Sequence, residues 1–317
     1  MIRYSISSRY YLLSLSLILT FLFYQRNIES ILDMSLYLEE LVFLKNGSII
    51  ESRLFWKGEY FFLILLKIFS NILDPKTSLY LLVFSGIVLY LSALTKIARI
   101  HNINSFYILL LTSCSIYFYL VFGNTLRQGI ALALALNATL FYYNKKYWLV
   151  LLFGIFSILS HRSAIILFIY PIIKELSNVK LKSYWTLFSL IIIFILFVNL
   201  KEYFYLKFYS YSMSNKDIFK DSIKLMISFA LCVLIFFHSR KVPGYFKYTF
   251  VAITLIASIF ISFDSISSRL LLYNQAITPF ILLFLVKKES HSILIPFSLT
   301  YLFILMQTET MKSLFAF

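Results

Sequence analysis

The sequence predicts an all-α, polytopic integral membrane protein, and three observations predict it. Hydrophobic residues make up 61% of the chain and charged residues only 14%, against about 45–50% and about 25% in soluble domains. Apolar runs recur from residue 10 to residue 306 with no long polar interruption. The Lys and Arg residues behind a formal net charge of +15 fall in short clusters between those runs, as the positive-inside rule asks of cytoplasmic loops. The pattern reads as a single integral membrane domain over 1–317, with outer loops at 26–59 and 201–222. Nucleic acid is not the expected partner, because no basic stripe is interleaved with exposed aromatics. The cations suit topology and the headgroups of anionic membrane lipids instead. Cys114 and Cys232 lie inside apolar runs, so neither a disulfide framework nor a thiolate metal site is indicated.

A membrane helix needs about 20 apolar residues, and about eleven such segments can be marked on that length scale. The first, 9–25, follows Arg3 and Arg9 and has the look of a signal peptide. No small-x-small cleavage site occurs in "QRNIES", so an uncleaved first helix is expected. After the 26–59 connection comes a short apolar piece, 60–73, with Lys67 inside it. Its length reaches only about 21 Å of a roughly 30 Å hydrocarbon core. The remaining expected spans are 78–96, 105–123, 126–143, 147–161, 163–174, 184–200, 223–239, 246–263, 270–286 and 291–307.

Loop charges orient these spans. Lys96/Arg99, Lys145/Lys146, Lys174/Lys180/Lys182, Arg240/Lys241/Lys247 and Lys287/Lys288 occupy every second connection, which makes those connections cytoplasmic. Arg3 and Arg9 put the N-terminus on the same side, so an odd number of spans must precede residue 74. One helix satisfies that, and 60–73 is then a re-entrant or interfacial helix. In the alternative it crosses and the N-terminus is outside; the side of everything after residue 74 is the same.

Polar residues then converge on the outer face. In "TLRQGIALALAL" (125–136), Arg127 opens a helix that descends to Lys145-Lys146, and the next helix climbs to "SILSHRSAII". Two legs of about 22–27 Å rise return His161 and Arg162 to the level of Arg127. Gly129/Ala133 and Ala131/Ala135 have the four-residue spacing of small residues that lets membrane helices approach closely. Taken singly, an arginine at a helix end can merely snorkel to headgroups, and an interfacial histidine can be merely hydrogen-bonded. The same face also receives Asp264 and Arg269 of "DSISSRLLLYNQ", and the acids Glu29, Asp33, Glu39, Glu40, Glu51 and Glu59 of the 26–59 connection, most of which read as solvated charge.

"TLRQGIALALAL", a basic turn and "LSHRSAIILFIYPI" together resemble the paired Arg-Gln-x-x-Ala and His-x-Ser-Ala signatures of the EpsG/Wzy-type polysaccharide polymerases of bacteria. The matching positions are Arg127, Gln128, Ala131, His161, Ser163 and Ala164. Asp33-x-x-x-Tyr37 and Arg269-x-x-x-Tyr273 resemble the flanking features, so the likeness covers about residues 33 to 280. One departure is that Gly58-Glu59-Tyr60 stands where a Glu-Pro-Gly-like entry to the re-entrant segment is expected, which leaves the role of Glu59 open.

The resemblance implies an activity: polymerisation of undecaprenyl-pyrophosphate-linked oligosaccharide repeat units on the outer face of the bacterial inner membrane, giving O-antigen, capsule or exopolysaccharide. The leaving group is a pyrophosphate, and planar guanidinium groups bind phosphoryl oxygens in bidentate fashion. On that reading Arg127 and Arg269 hold the pyrophosphate, with Arg162 a third cation. His161 is the expected general base, and Asp33, Asp264 and Glu59 are rival carboxylates. Gln128, Ser163, Tyr37 and Tyr273 support them. The donor arrives activated, so no cofactor, ATP or metal is called for; neither a Gly-rich phosphate loop nor a His-Glu-x-x-His pattern occurs. A chain-length regulator and a flippase of the same pathway are the implied protein partners.

Three other functions compete. A lipid-linked oligosaccharide flippase should be longer and show two related halves, and no internal repeat is visible. A membrane O-acyltransferase could use His161 as its base but should show a cytoplasmic Arg/His pair early in the chain, where Arg99 and His101 are the nearest approach. A channel or structural subunit would leave the outer Arg/His/Asp clustering without a purpose. The 34 Phe and 24 Tyr residues read mainly as lipid-facing packing and interfacial belt.

Overall fold

The computed structural model describes residues 3–25, 32–168, 218–238, 242–259, 264–286 and 296, all helices and connections with no strand among them. Two compact units result: Met1–Leu167 with Ala276–Phe317, and Phe168–Gln275. The family of helices is all-α as the sequence predicts.

In the first unit, α1 (Arg3–Tyr24) is followed by α2 (Leu32–Asn46), so part of the connection read as solvated loop is helical. A capping box at Ser48 and Glu51 starts a 3-10 turn, Ile49–Glu51. The Ser52 hydroxyl then accepts from the Leu54 amide at 3.1 Å to start α3 (Arg53–Trp56), and donates to the Glu40 carboxylate at 2.8 Å, tying the turn back to α2. The short apolar piece becomes α4 (Tyr60–Ser70), 11 residues long. Lys67, the charge inside it, donates to the carbonyls of Leu44 at 2.5 Å and Gly47 at 3.2 Å. An ammonium there satisfies carbonyls that the end of α2 leaves open.

Asp74 and Pro75 set the start of α5 (Pro75–Ile100): the carboxylate accepts from the Thr77 amide at 2.9 Å and Pro occupies the first turn. The expected span 105–123 is broken into α6 (Ser105–Ser113) and α7 (Ile116–Gly123), bent by 72°. The break falls in "TSCS", where Ser113 Oγ donates back to Leu110 O at 3.0 Å; such side chains offer the backbone an alternative to the helix ladder. α8 (Leu126–Tyr143) and α9 (Tyr147–Ser160) form the expected hairpin through a turn in which Lys145 has φ 56. Ser157 Oγ donates to Ala131 O at 2.7 Å, which marks the close approach of the two helices. Gly129 serves a different neighbour: a Cβ there would lie 2.9 Å from the Phe122 ring of α7. The chain leaves α9 through a 3-10 helix, Arg162–Phe168, over the start of the expected span 163–174, whose remainder, 169–174, lies outside the described residues.

In the second unit, α10 (Ile218–Phe237), α11 (Gly244–Ile259) and the start of α12 (Asp264–Leu285) pack together. Asn274 of α12 donates to Thr254 Oγ1 at 2.8 Å and Phe250 O at 3.1 Å, both on α11.

Two described helices are long and apolar enough to cross a membrane unaided, Pro75–Ile100 and Ser267–Leu285, and a third span results if the bent α6–α7 pair is counted as one. Four further apolar helices, such as Tyr60–Ser70 and Tyr147–Ser160, have 10–17 residues. The expected segments 184–200 and 291–307, nearly whole, and the outer loop 201–222 for the most part, lie outside the described residues.

Candidate functional site

The site is built on one turn. After α3 the Gly58 amide donates to Phe55 O at 2.9 Å and the Glu59 amide to Leu54 O at 3.4 Å. Gly58 reverses the chain with φ +70, a backbone state glycine adopts at little cost. A second reason for glycine is steric: a Cβ would collide with the Arg162 guanidinium, 2.5 Å from its Cζ. Arg162, an exposed residue, is thus laid directly over Gly58.

Glu59 is the N-cap residue of α4, but its side chain makes no capping hydrogen bond. Its carboxylate, 5% exposed as a residue, is committed elsewhere. Oε2 accepts from Arg127 Nη1, and Oε1 lies 3.0 Å from His161 Nδ1. Arg127 sits in the first turn of α8; its Nε donates to the Tyr37 hydroxyl at 2.8 Å, and its Cζ is 5.3 Å from the Tyr37 ring centre. Tyr37 is held in turn by the Phe62 ring at 5.1 Å. His161, the residue that ends α9, has extended backbone (φ −158, ψ 117). Its Nε2 is 3.1 Å from the Gln128 amide nitrogen.

These contacts assign the protons. An ionised carboxylate only accepts, so His161 Nδ1 carries the hydrogen that points to Glu59; the Gln128 amide nitrogen only donates, so Nε2 presents its lone pair. Glu59 and Tyr37 both lie in the connection ahead of α5. Burial pushes the Glu59 carboxyl up, but the hydrogen bond from His161 and the charge of Arg127 outweigh it and hold the group below its ordinary value. Burial keeps the Tyr37 phenol well above its ordinary value against the pull of Arg127, so it stays protonated. The result is a buried, charge-balanced Arg127–Glu59 pair with a carboxylate-oriented imidazole beside it.

The structure therefore gathers Arg127, Gln128, His161, Glu59 and Tyr37, with Arg162 at the edge. Asp33 lies in the first turn of α2, one turn before Tyr37, half-buried, and its charge bears on the Tyr37 phenol. Ser163 is half-buried in the 3-10 helix after His161. Asp264, Arg269 and Tyr273 belong to the second unit: Asp264 begins α12, Arg269 is exposed and Tyr273 is fully buried. Gly58 entered the sequence reading only as part of the Gly58-Glu59-Tyr60 departure and was given no role; a lone glycine directly before a carboxylate and a short apolar segment was the available signal. Among the described residues no group of three or more His, Cys, Asp or Glu is placed to hold a metal ion. The Gln128 amide oxygen is buried without a hydrogen-bond partner among them.

Neither the comparison with curated proteins nor that with solved structures finds a match. A family model, described as the EpsG family, matches residues 9–315.

Proposed function

We propose, since this chain belongs to the EpsG family and so to the membrane proteins of polysaccharide biosynthesis, that it polymerises undecaprenyl-pyrophosphate-linked oligosaccharide repeat units on the outer face of the inner membrane. The observation that carries the reading is Glu59 bridging Arg127 and His161. In the transfer, the acceptor hydroxyl oxygen forms a bond to the anomeric carbon of the growing chain. The bond from that carbon to the pyrophosphate oxygen breaks, and its electron pair leaves with the pyrophosphate. The hydroxyl proton goes to His161 Nε2, whose lone pair is turned away from Glu59.

Orientation is what Glu59 contributes. A carboxylate on Nδ1–H fixes the tautomer and stabilises the imidazolium that forms, the logic of a base held by an acidic partner. The acceptor hydroxyl would take the place that the Gln128 amide holds at Nε2. Charge on the leaving group falls to the cation exposed at the rim of the site, beside Gly58-Glu59. Arg127 is paired with Glu59 and Tyr37, so it preorganises the site from behind, and the exposed Arg162 meets the pyrophosphate. No step calls for a metal or cofactor, because the donor is already activated.

The test is complementation of a strain lacking the gene, with wild type, His161→Ala and Glu59→Gln at matched membrane expression, reading surface polysaccharide by gel ladder. The expected result is a single capped repeat unit in the deletion, a ladder restored by wild type, and no ladder from either variant. A full-length ladder from His161→Ala overturns the base assignment. If no repeat unit reaches the surface at all, the protein is a flippase; a normal ladder with altered acylation makes it an acyltransferase.

A further inference from the structure

We infer that Phe55, Trp56 and Tyr60 form a saccharide-binding platform at the rim of the Glu59 site, which holds a pyranose ring of the oligosaccharide. The inference deepens the proposed function and rests on it for the kind of ligand. Trp56 is 76% exposed and Tyr60 40%. Phe55 lies between them, edge-on to each, with ring centres 5.8 Å from Trp56 and 5.2 Å from Tyr60. Single exposed apolar residues are ordinary; a contiguous aromatic row is not.

Position gives the row its meaning. The three rings flank Gly58-Glu59 on both sides in sequence, and the turn between them is fixed by the left-handed Gly58 and by the guanidinium lying on it. A ligand on the row is therefore held at a set place relative to the carboxylate that orients His161. The surroundings are cationic: Arg53, Lys57 and Arg162 are exposed, while the nearby acid Glu51 is turned back to the Ser48 amide. Aromatic faces carry negative charge and attract polarised C–H groups, and a pyranose offers such an apolar face with hydroxyls at its edge. A diphosphate joined to that sugar needs cations next to the rings. A tryptophan at a membrane interface can also serve as a lipid anchor, which would account for Trp56 but makes no use of a rigid link to Glu59.

The experiment uses the full chain in lipid nanodiscs with Trp148→Phe and Trp185→Phe, leaving Trp56 as the one tryptophan. The probe is the oligosaccharide released by mild acid from the host's own surface polysaccharide. The expected result is a saturable change in Trp56 emission. In the otherwise native chain, calorimetric affinity for the same probe should fall about ten-fold in Trp56→Ala. Trp56→Leu, apolar but without a π face, should match the alanine variant, and Trp56→Phe should stay near wild type. Emission that ignores the oligosaccharide but is quenched by brominated phosphatidylcholine overturns the platform and makes Trp56 a lipid anchor. The two readings fail separately. A flat Trp56 titration with a ladder lost in Glu59→Gln removes the platform alone. A saturable titration with a full ladder in Glu59→Gln removes the polymerase site and leaves the saccharide site standing.

Discussion

Neutralising Glu59 tests the core of the site. The side chains of Glu59 and Arg127 are 6% and 11% exposed, so Glu59→Gln leaves a guanidinium buried without its anion. Breaking one side of a buried pair costs about 3–5 kcal/mol, much of it the penalty of the charge left behind. Glutamine keeps one acceptor oxygen where two now serve Arg127 and His161 separately, and it turns an NH2 group toward a donor. Arg127→Met creates the mirror problem, a buried carboxylate with only His161 to neutralise it. The double variant has neither orphan. Its loss should fall short of the sum of the single losses by about 2–3 kcal/mol, the upper range for residues in one network. Equilibrium unfolding by SDS titration in mixed micelles, followed by circular dichroism, reads all four chains. Additivity within about 0.5 kcal/mol would refute the claim that this pair is one folding unit. All three variants should give no ladder, the double included, because a refolded site without Glu59 still lacks the group that orients His161.

Three further outcomes follow from the same geometry. Arg127→Lys should fail in the ladder assay nearly as badly as Arg127→Ala, because one ammonium does not reproduce a fork that reaches both Tyr37 and Glu59; a full ladder would reduce Arg127 to a membrane anchor. Gly58→Ala should destabilise by about 1–3 kcal/mol through its left-handed φ alone, and adding Arg162→Ala should relieve only the collision, so that the double variant melts between Gly58→Ala and wild type. Equal melting of Gly58→Ala and wild type would contradict the turn described. Glu59 has a carboxyl held below its ordinary value of 4.5, so its stabilising effect is complete above that value and is lost as pH falls through the lower folded value. The wild type should therefore lose stability on acidification below pH 4.5 more steeply than Glu59→Gln, and identical acid limbs would show that Glu59 is not ionised in the fold.

How much was legible follows from how local each signal is. The α8–α9 hairpin could be read because its turn, its small residues and its two polar ends all lie within about 40 residues of one another, and helix rise alone returns His161 to Arg127. The helix α2 was hidden because Asp33, Glu39 and Glu40 break its apolar face; only the one-turn spacing of Asp33 and Tyr37 pointed to it. The "TSCS" break in 105–123 was present as composition but not as polarity, since every residue in it is small enough for a membrane helix. Glu59 was the hardest. Its partners stand 68 and 102 residues away, and nothing in the sequence ranks it above Asp33 or Asp264 until the chain is folded.

That late arrival bears on how the chemistry and the fold are coupled. One carboxylate both neutralises a buried arginine and orients the imidazole, so Glu59 and Arg127 variants change folding and activity together and are compared at matched membrane expression. Gln128 separates the two. It donates to His161 Nε2, its amide oxygen has no partner among the described residues, and its side chain carries no charge. Replacing it with leucine removes a single hydrogen bond, worth about 0.5–1.5 kcal/mol, and leaves the Arg127–Glu59 pair intact. If His161 is the base, a variant this close to wild type in stability changes what occupies the reactive nitrogen and nothing else. Polymer length would then shift without loss of protein, whereas an unchanged ladder would show that the Gln128 hydrogen bond plays no part in presenting Nε2 to the acceptor.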